Sequence, residues 1–429
     1  MSENLPPIDE EVRAKRGDLI WSLIGRLSLT GANAALMLAL ALWFFDLETF
    51  GRFGIFVGLQ LMLSRAVLAG QEQAIIRLHG TGASGASSLR AGIWIVAALG
   101  VAVIAVSAGA MLVPGGSLPS GWTVWMLACI GLGAAGNAWF DVACASWLAR
   151  LSFRRAGLAQ TLMPTLRAAA TVWFAWAYDD PTGAFVAFST VTLLCGAVAM
   201  ANALRSARAP RRRAAFVEAF HYGKWIAMAD AAMVLTIYQG AFLLTQLQRT
   251  TDAGRYMFAL PFAQGLFAVY LAFYHAMLPR AVRLRGAHEL SDFLRPAFRR
   301  AGLLAGCVLA VAIAIAVVVP WILTTWFPEK TELAGFAPTF LGLAAFVAAL
   351  MLEAPLGVSC HALRRPRLQL AAMLLRIVAI ALFGLWLAPA HGDFGAAVAQ
   401  ALGTGVAIAA LAIPLRMAIR ESGLAGSWR

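Results

Sequence analysis

Long apolar segments dominate this chain and restrict it to one class of fold. Twelve of them, each long enough to cross a bilayer, are separated by short polar connections. An α-helix rises about 1.5 Å per residue, so about 20 residues span a hydrocarbon core of about 30 Å. The sequence therefore predicts an all-α polytopic membrane protein with twelve transmembrane helices. The predicted spans are 19–45, 53–74, 91–113, 122–148, 158–177, 184–204, 220–247, 256–278, 301–321, 336–356, 368–387 and 396–415.

Basic residues are unevenly distributed between the connections. Of the 34 Lys and Arg residues, 26 lie in the two tails, in alternate connections or, for Lys224, at the inner end of a span. The opposite side holds Arg52, Arg249, Arg255 and Lys330. Because short cytoplasmic loops are enriched in Lys and Arg, this bias predicts that both termini are cytoplasmic. The net charge of +13 is then explained by orientation and by contact with anionic lipids, and no nucleic-acid partner is expected.

Motifs that carry covalent chemistry are missing from the sequence. It has no phosphate-binding loop, no His pair at metal-ligand spacing and no Ser, His and Asp grouping supported by position. The five cysteines lie in or beside apolar spans, so we expect neither disulfides nor a cysteine metal site. The first span is too long for a cleavable signal and should remain as an anchor. We predict that the protein is not an enzyme and has no catalytic residues, no metal and no cofactor.

The two halves of the sequence resemble each other. At an offset of 203 positions, residues 51–53 match residues 254–256, and near the end of each half residues 183–187 match residues 395–399 at an offset of 212. Both halves have six spans and begin in the cytoplasm, which predicts a parallel repeat about an axis along the membrane normal. The predicted domains are a cytoplasmic tail (1–18), a six-helix lobe (19–204), a basic cytoplasmic linker (205–219), a second six-helix lobe (220–416) and a cytoplasmic tail (417–429).

Several short stretches resemble a known transporter family. Residues 46–53, DLETFGRF, resemble the "e-x-F/Y-G-x-Y/F" turn of the oligosaccharide flippases (O-antigen and exopolysaccharide, Wzx-like), a branch of the multidrug/oligosaccharidyl-lipid/polysaccharide exporter superfamily. Residues 251–256, TDAGRY, and 278–280, LPR, are similar to the corresponding stretches of the second half. Residues 387–397, LAPAHGDFGAA, resemble the "P-x-x-G-x-x-G-A-A" connection before the last span. The resemblance covers nearly the whole chain.

This resemblance implies both an architecture and a function. The two lobes would surround a central cavity, through which undecaprenyl-pyrophosphate-linked oligosaccharide units move from the cytoplasmic to the periplasmic leaflet by alternating access. The chain would lie in the bacterial inner membrane as a monomer and serve surface polysaccharide assembly beside a polymerase and glycosyltransferases. Longer family members have extra C-terminal spans that are not present here, which weakens a lipid II assignment. The alternatives are a cation-coupled multidrug exporter of the same superfamily and a membrane enzyme of polysaccharide assembly.

Four arginines lie inside predicted spans, where each costs about 2.5–3.5 kcal/mol to insert. A diphosphate-sugar head cannot cross hydrocarbon unaided, so the implied substrate requires a hydrated and cationic interior. Arg26 belongs to a polar stripe on the first span that also contains Asn33 at helical spacing. The residues predicted to bind substrate in the cavity are Arg26, Asn33, Arg65, Arg167 and Arg376. The alternative is that Arg26 extends to the interface and the other arginines pair with carboxylates to stabilise the fold.

Four carboxylates lie in spans or at their inner ends. They are the candidates for coupling transport to H⁺ or Na⁺: Glu72, Asp141, Asp230 and Glu353. Glu72 follows Arg65 by seven residues, so one continuous helix would place it on the same face about 10 Å farther along the axis. A structural ion pair between Arg65 and Asp141 is the alternative. Asp230 lies one position from the repeat counterpart of Arg26, which predicts that these two face each other across the cleft.

Overall fold

A computed structural model describes residues 16–72, 74–75, 85–111, 124–150, 152–178, 181–206, 213–282, 287–362 and 366–426. Across these residues the chain is helical, and it contains no β-strand. The helices are α1 (Arg16–Ala39), α2 (Leu47–Leu68), α3 (Gly85–Met111), α4 (Val124–Ala149), α5 (Phe153–Tyr178), α6 (Pro181–Ser206), α7 (Arg213–Gln246), α8 (Thr250–Val282), α9 (Ala287–Trp326), α10 (Ala337–Ala362) and α11 (Pro366–Gly426). A π-helical turn (Leu40–Phe44) extends α1, and a 3₁₀ segment (Pro328–Phe336) precedes α10.

The helices have the length and composition of membrane-spanning segments. Within the described ranges, nine helices are long and apolar enough to cross a bilayer. One of these is α11, in which Gly392 adopts a non-helical conformation (φ 58°) and separates two segments that match the last two predicted spans. The apolar part of α1, Ser28–Phe44, is shorter, and α5 contains Arg154, Arg155 and Arg167, which lower its hydropathy. The prediction of an all-α polytopic membrane protein is confirmed.

The chain divides into two compact units. The first comprises Met1–Leu36 and Leu63–Ala227, and the second comprises Met37–Met62 and Met228–Arg429. In the first unit α4 packs against α3, α5 and α6, and in the second unit α10 packs against α8, α9 and α11. Residues 37–62, which the sequence places in the first lobe, are grouped with the second unit. The lobe boundaries at 19–204 and 220–416 stay a prediction.

Two glycines related by the repeat meet where α2 crosses α8 in the second unit. A Cβ added to Gly51 would lie 2.9 Å from the backbone nitrogen of Gly254, and a Cβ added to Gly254 would lie 2.1 Å from the carbonyl oxygen of Leu47. Only glycine permits such close backbone contact, which membrane helices use for packing. Just before the crossing, Asp46 caps α2 by accepting a hydrogen bond from the Thr49 backbone N–H (2.8 Å), and bonding to Thr49 lowers the pKa of this carboxyl.

This crossing leads to a test of stability. We expect Gly254→Ala to destabilise the protein by roughly 1–3 kcal/mol, because the new methyl group must displace backbone atoms. Gly405→Ala is the matched control, since a Cβ there has no atom within 4 Å. Thermal unfolding of both variants in detergent measures the difference. Equal melting temperatures would show that the crossing is not closely packed.

Candidate functional site

The structure brings most of the predicted site residues into three clusters, each centred on an arginine. Arg167 contacts Asn33, Arg65 contacts Glu72 and Asp141, and Arg376 contacts Glu353. The side chain of Arg26 lies outside the described part of the chain, so its predicted approach to Asp230 stays a prediction. Asp230 itself is partly buried on α7.

Arg167 joins four helices of the first unit. It is 5% exposed and lies near the middle of α5. Its Nη2 donates to Asn33 Oδ1 on α1 (2.7 Å), and its Nη1 donates to Asn137 Oδ1 on α4 (3.3 Å) and Thr192 Oγ1 on α6 (3.4 Å). The guanidinium also stacks over the ring of Phe188, 4.3 Å from its centroid. These partners are uncharged, and together they orient the guanidinium.

Arg65 is shared by two carboxylates. Its Nη1 lies 3.3 Å from Glu72 Oε2 and 3.5 Å from Asp141 Oδ2, and all three side chains are partly exposed. The pair between Arg65 and Asp141, considered from sequence as the structural alternative, is therefore present. The expectation that Glu72 lies about 10 Å farther along one continuous helix is wrong, because α2 ends at Leu68.

A break in the backbone brings Glu72 back towards Arg65. Ala69 (φ 49°) and Gly70 (φ 67°) both adopt left-handed conformations, which cost a residue with a Cβ roughly 1–2 kcal/mol. Gln71 is fully buried, and its Nε2 donates to the carbonyls of Ala69 (3.1 Å) and Ala219 (3.2 Å). A Cβ on Gly70 would lie 2.1 Å from the carbonyl of Gly223, so only glycine fits. The N-terminal part of α7 thus fixes the break.

Arg376 and Glu353 form the third cluster, inside the second unit. Nη2 of Arg376 on α11 donates to both carboxylate oxygens of Glu353 on α10. The arginine is fully buried and the glutamate is 5% exposed. Both lie where water is excluded, so each charge depends on the other for its stability. The predicted role of Arg376 in substrate binding and that of Glu353 in coupling stay predictions.

The repeat relates the carboxylates of the two units. Asp141 on α4 and Glu353 on α10 are 212 positions apart, the offset that aligns the later parts of the two halves. At the same offset Arg376 aligns with Pro164, so it lies three residues, or about one helical turn, before the counterpart of Arg167. In the second unit the equivalent acid pairs with this nearby arginine. In the first unit Asp141 pairs with Arg65, and Arg167 is held by neutral oxygens.

Sequence reasoning missed the residues that surround Arg167. Asn137 on α4 and Phe188 and Thr192 on α6 were not predicted as site residues. The available signal was the position of Asn137 and Thr192, which are polar residues within otherwise apolar stretches of α4 and α6. Such residues are costly in a membrane unless they are hydrogen-bonded, so they indicate a buried polar partner.

Comparison with solved structures shows which known fold the chain has. No protein-family model and no curated protein sequence matches the chain. Among solved structures, it is similar to an inward-facing multidrug resistance MATE family transporter of the MOP superfamily, with 14% identity and a TM-score of 0.67 over 95% of this chain and 99% of that chain. It is also similar to the lipid II flippase MurJ in an inward closed conformation (11% identity, TM-score 0.58, 93% of this chain and 87% of that chain).

A third match is a MOP superfamily transporter from Pyrococcus furiosus, with 15% identity and a TM-score of 0.57 over 94% of each chain. These proteins are transporters and flippases, not enzymes. The chain is therefore a polytopic α-helical membrane protein with a transporter fold. That fold is the one shared by the MATE transporters and MurJ.

Proposed function

We propose that the chain is a flippase that moves undecaprenyl-pyrophosphate-linked oligosaccharide units from the cytoplasmic to the periplasmic leaflet for surface polysaccharide assembly. The observation that carries this proposal is the environment of Arg167. A guanidinium is buried deep in a membrane helix, and neutral oxygens from three other helices hold it in place. A guanidinium oriented in this way can donate charge-assisted hydrogen bonds to an anion.

A diphosphate is the anion that such a group suits best. Phosphate oxygens accept two parallel hydrogen bonds from a guanidinium, and these bonds strengthen where water is excluded. A cationic drug would be repelled by the same charge. The lipid tail can remain in the bilayer while the charged head enters the protein, as the MurJ fold makes possible. Asn33 and Arg167, both predicted from sequence to bind substrate, lie in this one cluster.

The proposal includes an orientation and a cellular setting. The distribution of basic residues favours the bacterial inner membrane with both termini in the cytoplasm. Anionic lipids would contact the basic connections, and a polysaccharide polymerase and glycosyltransferases would act on the same lipid-linked units. We propose that the protein acts as a monomer, needs no cofactor, and couples transport to H⁺ or Na⁺ through one or more of the four carboxylates.

The orientation has a direct test. A reporter enzyme fused after Arg213 or Arg299 should be cytoplasmic, and one fused within residues 115–119 should be periplasmic, because positive charges are concentrated at the predicted inner ends of the spans. Paired alkaline phosphatase and β-galactosidase fusions at each site measure this. Reversed activities would overturn the direction of transport.

A cation-coupled multidrug exporter is the second candidate. One matched structure is a multidrug resistance MATE family transporter, and the partly exposed carboxylates Glu72 and Asp141 could attract an organic cation. The two candidates differ in the sign of the substrate charge, so one preparation can distinguish them.

The deciding experiment uses purified protein in proteoliposomes. Undecaprenyl-pyrophosphate carrying a fluorescent sugar is incorporated, and a membrane-impermeant quencher reports the fraction exposed on each leaflet. We expect rapid exchange with the protein and none in empty vesicles. The same vesicles are tested for ethidium transport under a pH or sodium gradient. Ethidium transport without lipid exchange would replace the proposal with the exporter.

A further inference from the structure

The cluster of Arg65, Glu72 and Asp141 carries a net negative charge. Two carboxylates lie within 3.5 Å of one guanidinium nitrogen, so one of the two negative charges has no equal partner inside the cluster. Like charges that share a site raise the free energy of the doubly ionised state. The guanidinium of Arg65 is what allows both acids to stay ionised. Any ligand that removes Arg65 from them changes their proton affinity.

Other charged groups near Asp141 do not replace Arg65. The groups whose charges act on Asp141 are Arg65 and Glu72 from the α2 segment and, more weakly, Arg167 on α5. The charges of both acids also act on the thiol of Cys144, which lies one turn along α4. Of the other helices that pack on α4, α3 carries Arg90, and α6 carries Cys195 and Arg205. Arg167 is already bonded to Asn33, Asn137 and Thr192.

The geometry also leaves the cluster partly exposed, with its partners on separate backbone segments. Arg65 lies on α2, whereas Glu72 follows the left-handed turn at Ala69 and Gly70, so the two belong to different backbone segments. The side chains of Arg65, Glu72 and Asp141 are 28%, 39% and 29% exposed, respectively. Protons and a charged ligand can therefore reach the cluster, unlike the closed pair of Arg376 and Glu353.

We propose that Arg65, Glu72 and Asp141 form a proton-linked diphosphate subsite. This inference rests on the proposed function. When a diphosphate binds the guanidinium of Arg65, the guanidinium moves away from Glu72 and Asp141. The two carboxylates then lie close together without a positive charge, and they bind one proton between them. The proton comes from water, and no covalent bond to carbon or phosphorus changes.

This subsite makes the proton and the anion bind together rather than in exchange. The proton neutralises one charge that the departing arginine leaves behind, so each ligand favours the other, as linkage requires. Both would then cross the membrane in the same direction. A membrane potential that is negative inside drives the remaining negative charge outward.

The number of protons bound with the ligand tests this proposal. Farnesyl diphosphate, a water-soluble probe for the substrate head, is titrated into the full-length protein in detergent. Calorimetry in buffers of different ionisation enthalpy at one pH gives the protons taken up per bound diphosphate. We expect wild type to take up about one proton more than the double variant Glu72→Gln/Asp141→Asn. Glu48→Gln, which alters the exposed pair with Arg52, is the matched control and should equal wild type.

A second variant covers the case in which the double variant does not fold. Arg65→Ala leaves the two acids without their guanidinium before any ligand arrives, so they already hold the proton, and binding should take up about one proton fewer than in wild type. Equal proton uptake in wild type and in whichever of these variants folds, with diphosphate still bound, overturns the subsite but leaves the flippase function intact. If wild type does not bind farnesyl diphosphate, the proposed function fails and the subsite with it.

Discussion

Replacing Arg167 with glutamine is expected to reduce flipping about 10- to 100-fold while the protein level stays near that of wild type. Glutamine keeps N–H donors for the neighbouring oxygens but removes the positive charge. A hydrogen bond to a charged group contributes about 1.5–3 kcal/mol, and each 1.4 kcal/mol corresponds to a factor of ten. Arg167→Lys should restore only part of the activity, because lysine keeps the charge but not the planar fork that binds two phosphate oxygens.

The measurement is the rate of lipid-linked oligosaccharide exchange in proteoliposomes, normalised to protein. Arg52→Gln is the control, since Arg52 is exposed and pairs with Glu48 at 2.5 Å within one helix. It should flip at the wild-type rate. Wild-type exchange by well-folded Arg167→Gln would defeat the cationic-site mechanism.

Removing the partner of the buried arginine should have the largest effect on stability. In Glu353→Ala, Arg376 would remain fully buried with its charge uncompensated, and breaking a buried ion pair in this way costs about 3–5 kcal/mol. We expect low steady-state levels in the membrane and a much lower melting temperature in detergent. Glu48→Ala, at an exposed pair, should cost no more than about 1 kcal/mol.

A double variant separates the charge from the packing. Glu353→Met/Arg376→Met replaces both ions with apolar side chains of similar length, and such replacements of buried pairs are often neutral or stabilising. The protein level should return to that of wild type. A level as low as that of Glu353→Ala would show that the pair stabilises the unit through shape rather than charge.

Much of the fold could be predicted because membrane segments are encoded locally. Apolar length alone located the helices, and the break at Gly392 falls between two predicted spans. The division into units was not accessible in this way. Residues 37–62 lie within the first half of the sequence yet group with the second unit, which depends on packing such as that between Gly51 and Gly254.

The site was predictable in its charged residues but not in its contacts. Buried arginines and acids stand out in an apolar sequence because of their cost, and pairing of Arg65 with Asp141 was foreseen as an alternative. The position of Glu72 was not, since Ala69 takes a left-handed conformation that its residue type does not indicate. The partners of Arg167 come from positions as far as 134 residues away, beyond the range of any local pattern.

The shared position of Asp141 and Glu353 also bears on how such a chain can evolve. In one half the acid belongs to a buried pair, and in the other half its counterpart is partly exposed and shares its arginine with a second acid. In a protein built from two similar halves, the residues around one site can stay the same while the residues around the equivalent site of the other half change. Homologues that handle different glycans should therefore vary around Asp141 far more than around Glu353.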